Sequence, residues 1–347
     1  MNRFLVIGNP IEHSLSPLLH NHWIKKNNLK AVYDKKETSS NNLKDLIEKV
    51  REKNISGINV TVPFKKEIIP HLDRLTLDAE ATQSVNTILL TTEGKIVGHN
   101  TDMGGFENAI KDTKYNLIGK RVLVLGAGGV APSIIFALYK MKVSTVILTN
   151  RTKSKAEYLQ NLYNEIIKKN DWNNIKVVDW GELPEFDMIV NATSVGLKKD
   201  ENLDLDFSKI GKNKFFYDVI YNPKETNFLK KGKDLGNKIE NGKKMFIFQA
   251  AKAFKICLYN NAGFNTKLKV AKADYSVNKS TNPFSAGQTK CIKMGDIPIS
   301  QGDNYDVLYW QQYWQTCSTD KSYSSSDVGE TKTYTVSGSL TSHNCEL

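Results

Sequence analysis

Two successive α/β units followed by a segment of different character are what this 347-residue sequence predicts. Three observations carry that expectation. Short β-rich runs alternate with helical patterns through the first two thirds of the chain; one strongly apolar strand runs into a glycine-rich turn and a helix; and from about Asn265 the alternation stops.

The first unit, residues 1–101, opens with the apolar run Phe4–Ile7, and similar runs recur at Ile58–Val62 and Thr87–Thr91. Helical patterns stand between them at Pro17–Asn27 and Ser40–Lys53. Such alternation predicts βαβ units and a mostly parallel sheet. The second unit, residues 102–241, has stronger strands at Arg121–Leu125, Thr145–Thr149, Met188–Asn191 and Phe215–Val219. A helical segment from about Met245 to Tyr259 follows, apolar enough to pack across a domain junction.

Composition narrows the function classes. Lys and Arg total 48 against 37 Asp and Glu, giving a net charge of +11. The lysines are scattered over amphipathic segments such as Lys44–Lys53 and Lys153–Lys169, without arginine-aromatic interleaving. That argues for solvated faces and against a nucleic-acid partner. A positive field still concentrates acidic substrates and phosphorylated cofactors. The N-terminal apolar stretch is too short for a signal h-region, and no run approaches the roughly 18 apolar residues of a membrane span. A cytoplasmic protein without a membrane partner is the expectation. Cys257, Cys291, Cys317 and Cys345 show no metal-ligand spacing, so no metal is expected and no cysteine nucleophile stands in the first two thirds.

The clearest local signal is Val122–Ala131, a buried strand leading into Gly126-Ala127-Gly128-Gly129-Val130-Ala131 and a helix. In a glycine fingerprint of this kind the first glycine permits the tight turn, the second admits backbone to a pyrophosphate, and the small last residue lets helix and strand pack closely. The helix N-terminus adds unpaired N–H groups and a positive dipole end. The unit therefore reads as a Rossmann-type dinucleotide-binding domain. The next strand ends Asn150-Arg151-Thr152-Lys153-Ser154-Lys155, without the acid that normally holds a bare ribose. Arg151, Lys153 and Lys155 suit a 2′-phosphate instead, since a guanidinium both stacks on adenine and forks onto phosphate. NADP is the expected cofactor.

In the first unit, polar clusters stand where apolar strands end. Ser14-Leu15-Ser16-Pro17 sets two hydroxyls before a proline-opened helix, where hydroxyls and helix N–H groups converge on a carboxylate. Strand alternation in Asn59-Val60-Thr61-Val62-Pro63-Phe64-Lys65 sends Asn59, Thr61 and the loop residue Lys65 toward one mouth. Ser84-Val85-Asn86-Thr87 and Gly98-His99-Asn100-Thr101-Asp102 add further donors, a set suited to a polyhydroxylated acid.

Nine motifs in order, S-L-S-P, N-V-T-V-P-F-K, V-N-T, N-T-D, G-A-G-G, N-R-T, A-T-S-V-G, D-V-I-Y-N-P and M-F-I-F-Q-A-A-K-A-F, resemble the shikimate dehydrogenase family from residue 1 to about 264. The resemblance implies an N-terminal α/β substrate domain and NADP-dependent interconversion of 3-dehydroshikimate and shikimate, within aromatic amino-acid (chorismate) biosynthesis. It implies that Ser14 and Ser16 bind the substrate carboxylate, that Thr61, Asn86, Asp102, Tyr221 and Gln249 bind its hydroxyls, and that Lys65 stands at the reacting carbon. Lys65 and Asp102 are the implied catalytic pair. Cofactor contacts are implied at Gly126, Ala127, Gly128, Gly129, Val130, Asn150, Arg151, Thr152, Lys155, Thr193, Val219, Gly242 and Met245.

The expected organisation is a substrate domain over 1–101 completed by a helix over 245–264, the NADP domain over 102–241, and a poorly defined Ser/Thr-rich tail over 265–347. The chain departs from the family at Ser84, where alanine is common, at Pro132 after the glycine loop, and above all in this tail. Its composition offsets ordering entropy poorly, which favours disorder, while Tyr305–Trp314 has the aromatic content of a strand. A quinate/shikimate dehydrogenase with relaxed cofactor use and a non-catalytic Rossmann-fold regulator are the alternatives; the first is disfavoured by the missing acid at 150–151, the second by the presence of Lys65 and Asp102. A glutamyl-tRNA reductase would need an N-terminal-domain cysteine nucleophile that this chain lacks. Oligomeric state stays open, a homodimer included.

Overall fold

A computed structural model describes residues 1–91, 93–167, 175–198, 200–254 and 256, together with backbone strands beyond them. The chain separates into two compact units, Met1–Ala253 and Phe254–Leu347. The first unit holds two six-stranded sheets.

The first sheet is built from β1 (Asn2–Gly8), β2 (Ala31–Glu37), β3 (Gly57–Val60), β4 (Arg74–Leu75), β5 (Thr87–Leu90) and β6 (Ile96–His99), in the order β2-β1-β3-β5-β6-β4. Helices α1 (Ser16–Lys26), α2 (Leu43–Arg51) and α3 (Leu77–Thr82) belong to it. Pairing is parallel for β1 with β2 and β3 and for β4 with β6, but antiparallel for β3 with β5 and β5 with β6. The sheet is thus mostly parallel, as sequence alternation predicts, with β5 reversed against both of its neighbours. The five-residue link between β5 and β6 accounts for their antiparallel pairing: a parallel crossover needs a dozen or more residues, whereas a hairpin does not. Leu43, Leu46, Ile47 and Val50, spaced for one face of α2, bury themselves against this sheet's core with Leu5, Ile7, Ile58 and Ile88.

Helix α4 (Asp102–Asp112) leads into the second sheet. Its strands are β7 (Arg121–Leu125), β8 (Thr145–Thr149), β9 (Ile175–Val178), β10 (Met188–Asn191), β11 (Phe215–Asp218) and β12 (Lys238–Glu240), in the order β12-β11-β10-β7-β8-β9, all parallel. Helices α5 (Ala131–Lys140), α6 (Lys153–Ile167), α7 (Asn227–Asp234) and α8 (Lys243–Phe254) accompany them. This is the doubly wound dinucleotide-binding order. Strand order reverses beside β7, which creates a crevice at the carboxyl ends of β7 and β10. Leu123, Leu125, Ile189 and Phe216 face one apolar layer, and Val122, Val124, Met188 and Val190 the other. A sheet buried on both faces explains why these strands read as continuous apolar runs.

The second unit contains strands β13 (Asn265–Lys272), β14 (Asn278–Ser280), β15 (Phe284–Ser285), β16 (Cys291–Lys293), β17 (Asn304–Gln311), β18 (Tyr313–Ser322), β19 (Thr331–Thr333), β20 (Thr335–Ser337) and β21 (Asn344–Glu346). β13 pairs antiparallel with β14, β15 and β17, and β17 with β18. The aromatic run Tyr305–Trp314 falls on β17 and β18, with Trp310 opposite Trp314. The remainder of the tail, and the expected continuation of α8 to residue 264 apart from residue 256, lie outside the described residues.

Candidate active site

Lys65 follows β3 in a turn held by the Phe64 N–H donating to the Thr61 carbonyl at 3.0 Å, and its own carbonyl accepts from Val85 N–H at 2.8 Å. Asp102 is the first residue of α4, where the positive end of the helix dipole favours a carboxylate. The two meet: Lys65 Nζ lies 2.5 Å from Asp102 Oδ2. Lys65 is only 8% and Asp102 only 5% exposed, so this is an ion pair nearly withdrawn from water. Such a pair offers an N–H donor and a proton acceptor at one point in space, the equipment of acid–base chemistry.

A polar network surrounds it. Asn86 Oδ1 accepts from Thr101 N–H at 2.9 Å, while its Nδ2 donates to Thr101 Oγ1 at 2.9 Å and to Gln249 Oε1 at 3.4 Å. Thr101 Oγ1 also donates to Gln249 Oε1 at 3.3 Å, and Gln249 Nε2 donates to the Phe246 carbonyl. Helix α8 approaches α4 closely at Gly105, where a Cβ would lie 2.7 Å from the Gln249 Cβ. Phe246 stacks on Tyr221 with centroids 4.4 Å apart, and the Tyr221 phenol lies against the Leu15 backbone. Burial raises the Tyr221 phenol above its ordinary pKa. Contacts therefore run without a break from the Ser14–Ser16 segment through Tyr221, Phe246 and Gln249 to Asn86, Thr101 and Asp102. Ser14 Oγ accepts from Ser16 N–H at 3.3 Å, so both hydroxyls stand at the opening of α1. Thr61, half-buried just past β3, packs near Gly8. Asn59, expected at the same mouth, is instead tied up within the sheet: Tyr33 OH donates to its Oδ1 at 2.6 Å, and its Nδ2 donates to the Asn86 carbonyl and Thr87 Oγ1.

The glycine loop leaves β7 at Gly126, whose φ of 104° is open to glycine and strained for other residues. A Cβ there would also lie 2.7 Å from Thr193 Cγ2, which places Thr193, after β10, across the crevice. Ala127 N–H donates to Asn150 Oδ1 at 3.1 Å, and Asn150 Nδ2 donates to the Thr152 carbonyl at 2.8 Å, joining the loops after β7 and β8. The N–H groups of Gly128, Gly129 and Val130 have no acceptor among the described residues, and no atom stands within 4 Å of a Cβ built on Gly128. Unpaired N–H groups at a helix start beside open space fit a pyrophosphate. The same loop reaches the ion pair: a Cβ on Gly129 would lie 3.8 Å from Lys65 Cβ and Cδ. Val219 and Gly242 are in contact, since a Cβ on Gly242 would overlap the Val219 carbonyl, and Met245 is buried in the first turn of α8. Arg151, Thr152 and Lys155 are exposed at the start of α6. Lys153, counted with them from sequence, is drawn off by Asp179, which lies 2.7 Å from its Nζ and raises its pKa through that hydrogen bond.

His99, expected with its neighbours to add a donor to the site, ends β6 next to Asn100–Asp102. It is 6% exposed, its Nδ1 has no hydrogen-bond partner among the described residues, and burial lowers its pKa from 6.5 to about 4. His20, stacked on Tyr33 at 4.1 Å, is lowered by burial to about 3. Both folded-state values lie below the ordinary value, so the unfolded chain takes up these protons first. Their contribution is present above pH 6.5 and is lost as pH falls toward 4, at about 1.4 kcal/mol per pH unit for each histidine. Asp218, raised by burial to about 6, works in the opposite sense below pH 6. Thermal midpoints measured from pH 7 to 4.5 are expected to fall, and to fall less steeply in His99→Leu; parallel curves would show that His99 has no part in the loss.

A family model described as the shikimate dehydrogenase substrate binding domain matches residues 6–88, and one described as shikimate / quinate 5-dehydrogenase matches residues 107–223. The chain is 51% identical over 253 residues to the shikimate dehydrogenase (NADP(+)) of Pelagibacter ubique, covering 73% of this chain and 92% of that protein. Among solved structures it is similar to shikimate dehydrogenase from Aquifex aeolicus, at 39% identity and a TM-score of 0.67, covering 74% of this chain and 92% of that one. It is also similar to shikimate 5-dehydrogenase from Thermus thermophilus in complex with NADP(H) and shikimate, at 32% identity and a TM-score of 0.65, covering 74% of this chain and 92% of that one. No described helix is long and apolar enough to cross a membrane.

Proposed function

The chain belongs to the shikimate dehydrogenase family, and from that premise we propose that it interconverts 3-dehydroshikimate and shikimate with NADP, using the Lys65–Asp102 pair at the reacting carbon. The supporting observation is the meeting of that buried pair with Gly129 of the glycine loop, which sets acid–base groups beside a dinucleotide cradle. NADPH, when bound, would supply the hydride for the ketone carbon. The chain's own residues handle charge and position. In the reducing direction negative charge develops on the ketone oxygen; Lys65 presents its N–H groups to that oxygen and, with Asp102, provides the proton that makes the hydroxyl. Asp102 also holds Nζ in place. Ser14 and Ser16, at the positive end of α1, take the carboxylate, and Thr61, Asn86, Tyr221 and Gln249 take the hydroxyls. The glycine loop and Thr193 would hold the pyrophosphate, with Val219, Gly242 and Met245 toward the nicotinamide and Asn150, Arg151, Thr152 and Lys155 toward the adenosine. The division into a substrate domain over 1–101 and a cofactor domain over 102–241, and a cytoplasmic setting, belong to the same reading.

The test is the rate of nicotinamide reduction with shikimate or quinate, each with NADP+ or NAD+. Shikimate with NADP+ is expected to exceed every other pairing by more than about tenfold in kcat/KM, because hydrogen-bonding sites discriminate strongly against a mismatched partner. A preference for quinate, or no turnover, would overturn the proposal. Replacing Ser14 and Ser16 together with alanine is expected to raise KM for shikimate on the order of 10- to 100-fold while kcat changes only a few-fold, since charge-assisted hydrogen bonds to a remote carboxylate act on ground state and transition state alike. An unchanged KM would place the carboxylate elsewhere.

A further inference from the structure

Ser84 lies between α3 and β5 and is 1% exposed. Its Oγ donates to the carbonyl of Gly129, in the glycine loop, at 3.0 Å. The segment around it is held from the other side. Asn100 Nδ2 reaches the Ser84 carbonyl at 2.9 Å, Thr82 Oγ1 at 3.0 Å and Ser133 Oγ at 2.9 Å, and its Oδ1 accepts from Met103 N–H. The next residue, Val85, donates its N–H to the Lys65 carbonyl. One hydroxyl therefore links the loop of the second sheet to the backbone that carries Lys65.

In a trans peptide the carbonyl and the following N–H point in opposite directions. Holding the Gly129 carbonyl against Ser84 turns the Val130 N–H to the opposite side, and that N–H has no acceptor among the described residues. We infer that Ser84 is a positioning residue for the cofactor: it fixes the orientation of the Gly129–Val130 peptide toward the pyrophosphate and the register between that cradle and Lys65. This rests on the reading of the glycine loop as the NADP pyrophosphate site. With alanine at this position, as the family commonly has, the loop carbonyl must be held in another way.

Ser84→Ala removes the hydroxyl and leaves the backbone contacts in place. Calorimetric titration of the free enzyme is expected to show NADP+ bound about five- to tenfold more weakly, the net size of one hydrogen bond. Adenosine 2′-monophosphate, which lacks the pyrophosphate, is expected to bind as it does to the parent. Ser84→Cys, carrying a weak donor, should fall between the two. Ser133→Ala deletes a buried hydroxyl from the same network without touching Gly129, and is expected to leave NADP+ affinity within about twofold. Unchanged NADP+ affinity in Ser84→Ala, or equal losses in Ser133→Ala and for adenosine 2′-monophosphate, would overturn the inference and leave only general loosening. Failure of the parent enzyme to bind NADP+ would overturn the cofactor reading instead.

Discussion

Lys65→Ala is expected to lower kcat on the order of a thousandfold while shikimate binding changes only a few-fold, the size range of a positioned acid–base group. The reason is where the charge appears. In the proposed reaction Lys65 would face an oxygen that is nearly neutral in both ketone and alcohol and becomes negative between them, so its interaction would be strongest in the transition state. The substitution also strands Asp102, 5% exposed, without its cation. Breaking a buried pair from one side typically costs about 3–5 kcal/mol, so a lower thermal midpoint is expected too. Rates should be compared well below that midpoint. Equal losses in kcat and in shikimate affinity, or near-normal turnover, would remove Lys65 from the chemistry.

Arg151→Ala is expected to reduce kcat/KM for NADP+ by about 10- to 100-fold and to leave NAD+ kinetics little changed, in keeping with the loss of charge-assisted hydrogen bonds to one phosphate. Arg151 and Lys155 stand exposed at the start of α6 and enter no ion pair among the described residues, whereas Lys153 is engaged by Asp179. On the proposed reading Arg151 and Lys155 are the cations left for the 2′-phosphate, and the planar guanidinium fork of Arg151 fits it better. A parallel fall with both cofactors would show that it supports the loop and does not read the 2′-phosphate.

Strands β7, β8 and β10 were legible to the residue because a sheet buried on both faces writes itself as an apolar run with sharp ends. Strand β2 was not: Ala31–Glu37 ends Asp-Lys-Lys-Glu, and these charges suit an edge strand with one wet side. The antiparallel pairing of β5 was hidden as well, since an apolar run carries no direction and only the short link to β6 reveals it. Within the site, Lys65 and Asp102 are 37 positions apart and Ser84 and Gly129 are 45 apart. The first pair was reachable because each member sits in a family-like motif. The second was not, because the sequence sets Ser84 among the donors for a polyhydroxylated acid, and only the fold sets the Gly129 carbonyl against it. Asn59 and Lys153 show the converse, with the right residue type and phase but a nearer partner, Tyr33 in one case and Asp179 in the other.

The most direct measurement is a crystal structure of the enzyme with shikimate and NADP+ bound together. The shikimate carboxylate is expected against the Ser14 and Ser16 hydroxyls, the reacting hydroxyl within hydrogen-bond distance of Lys65 or Asp102, and the pyrophosphate on the N–H groups of Gly128 to Val130. A substrate carboxylate bound at Lys65, or a reacting carbon turned away from the Lys65–Asp102 pair, would contradict it.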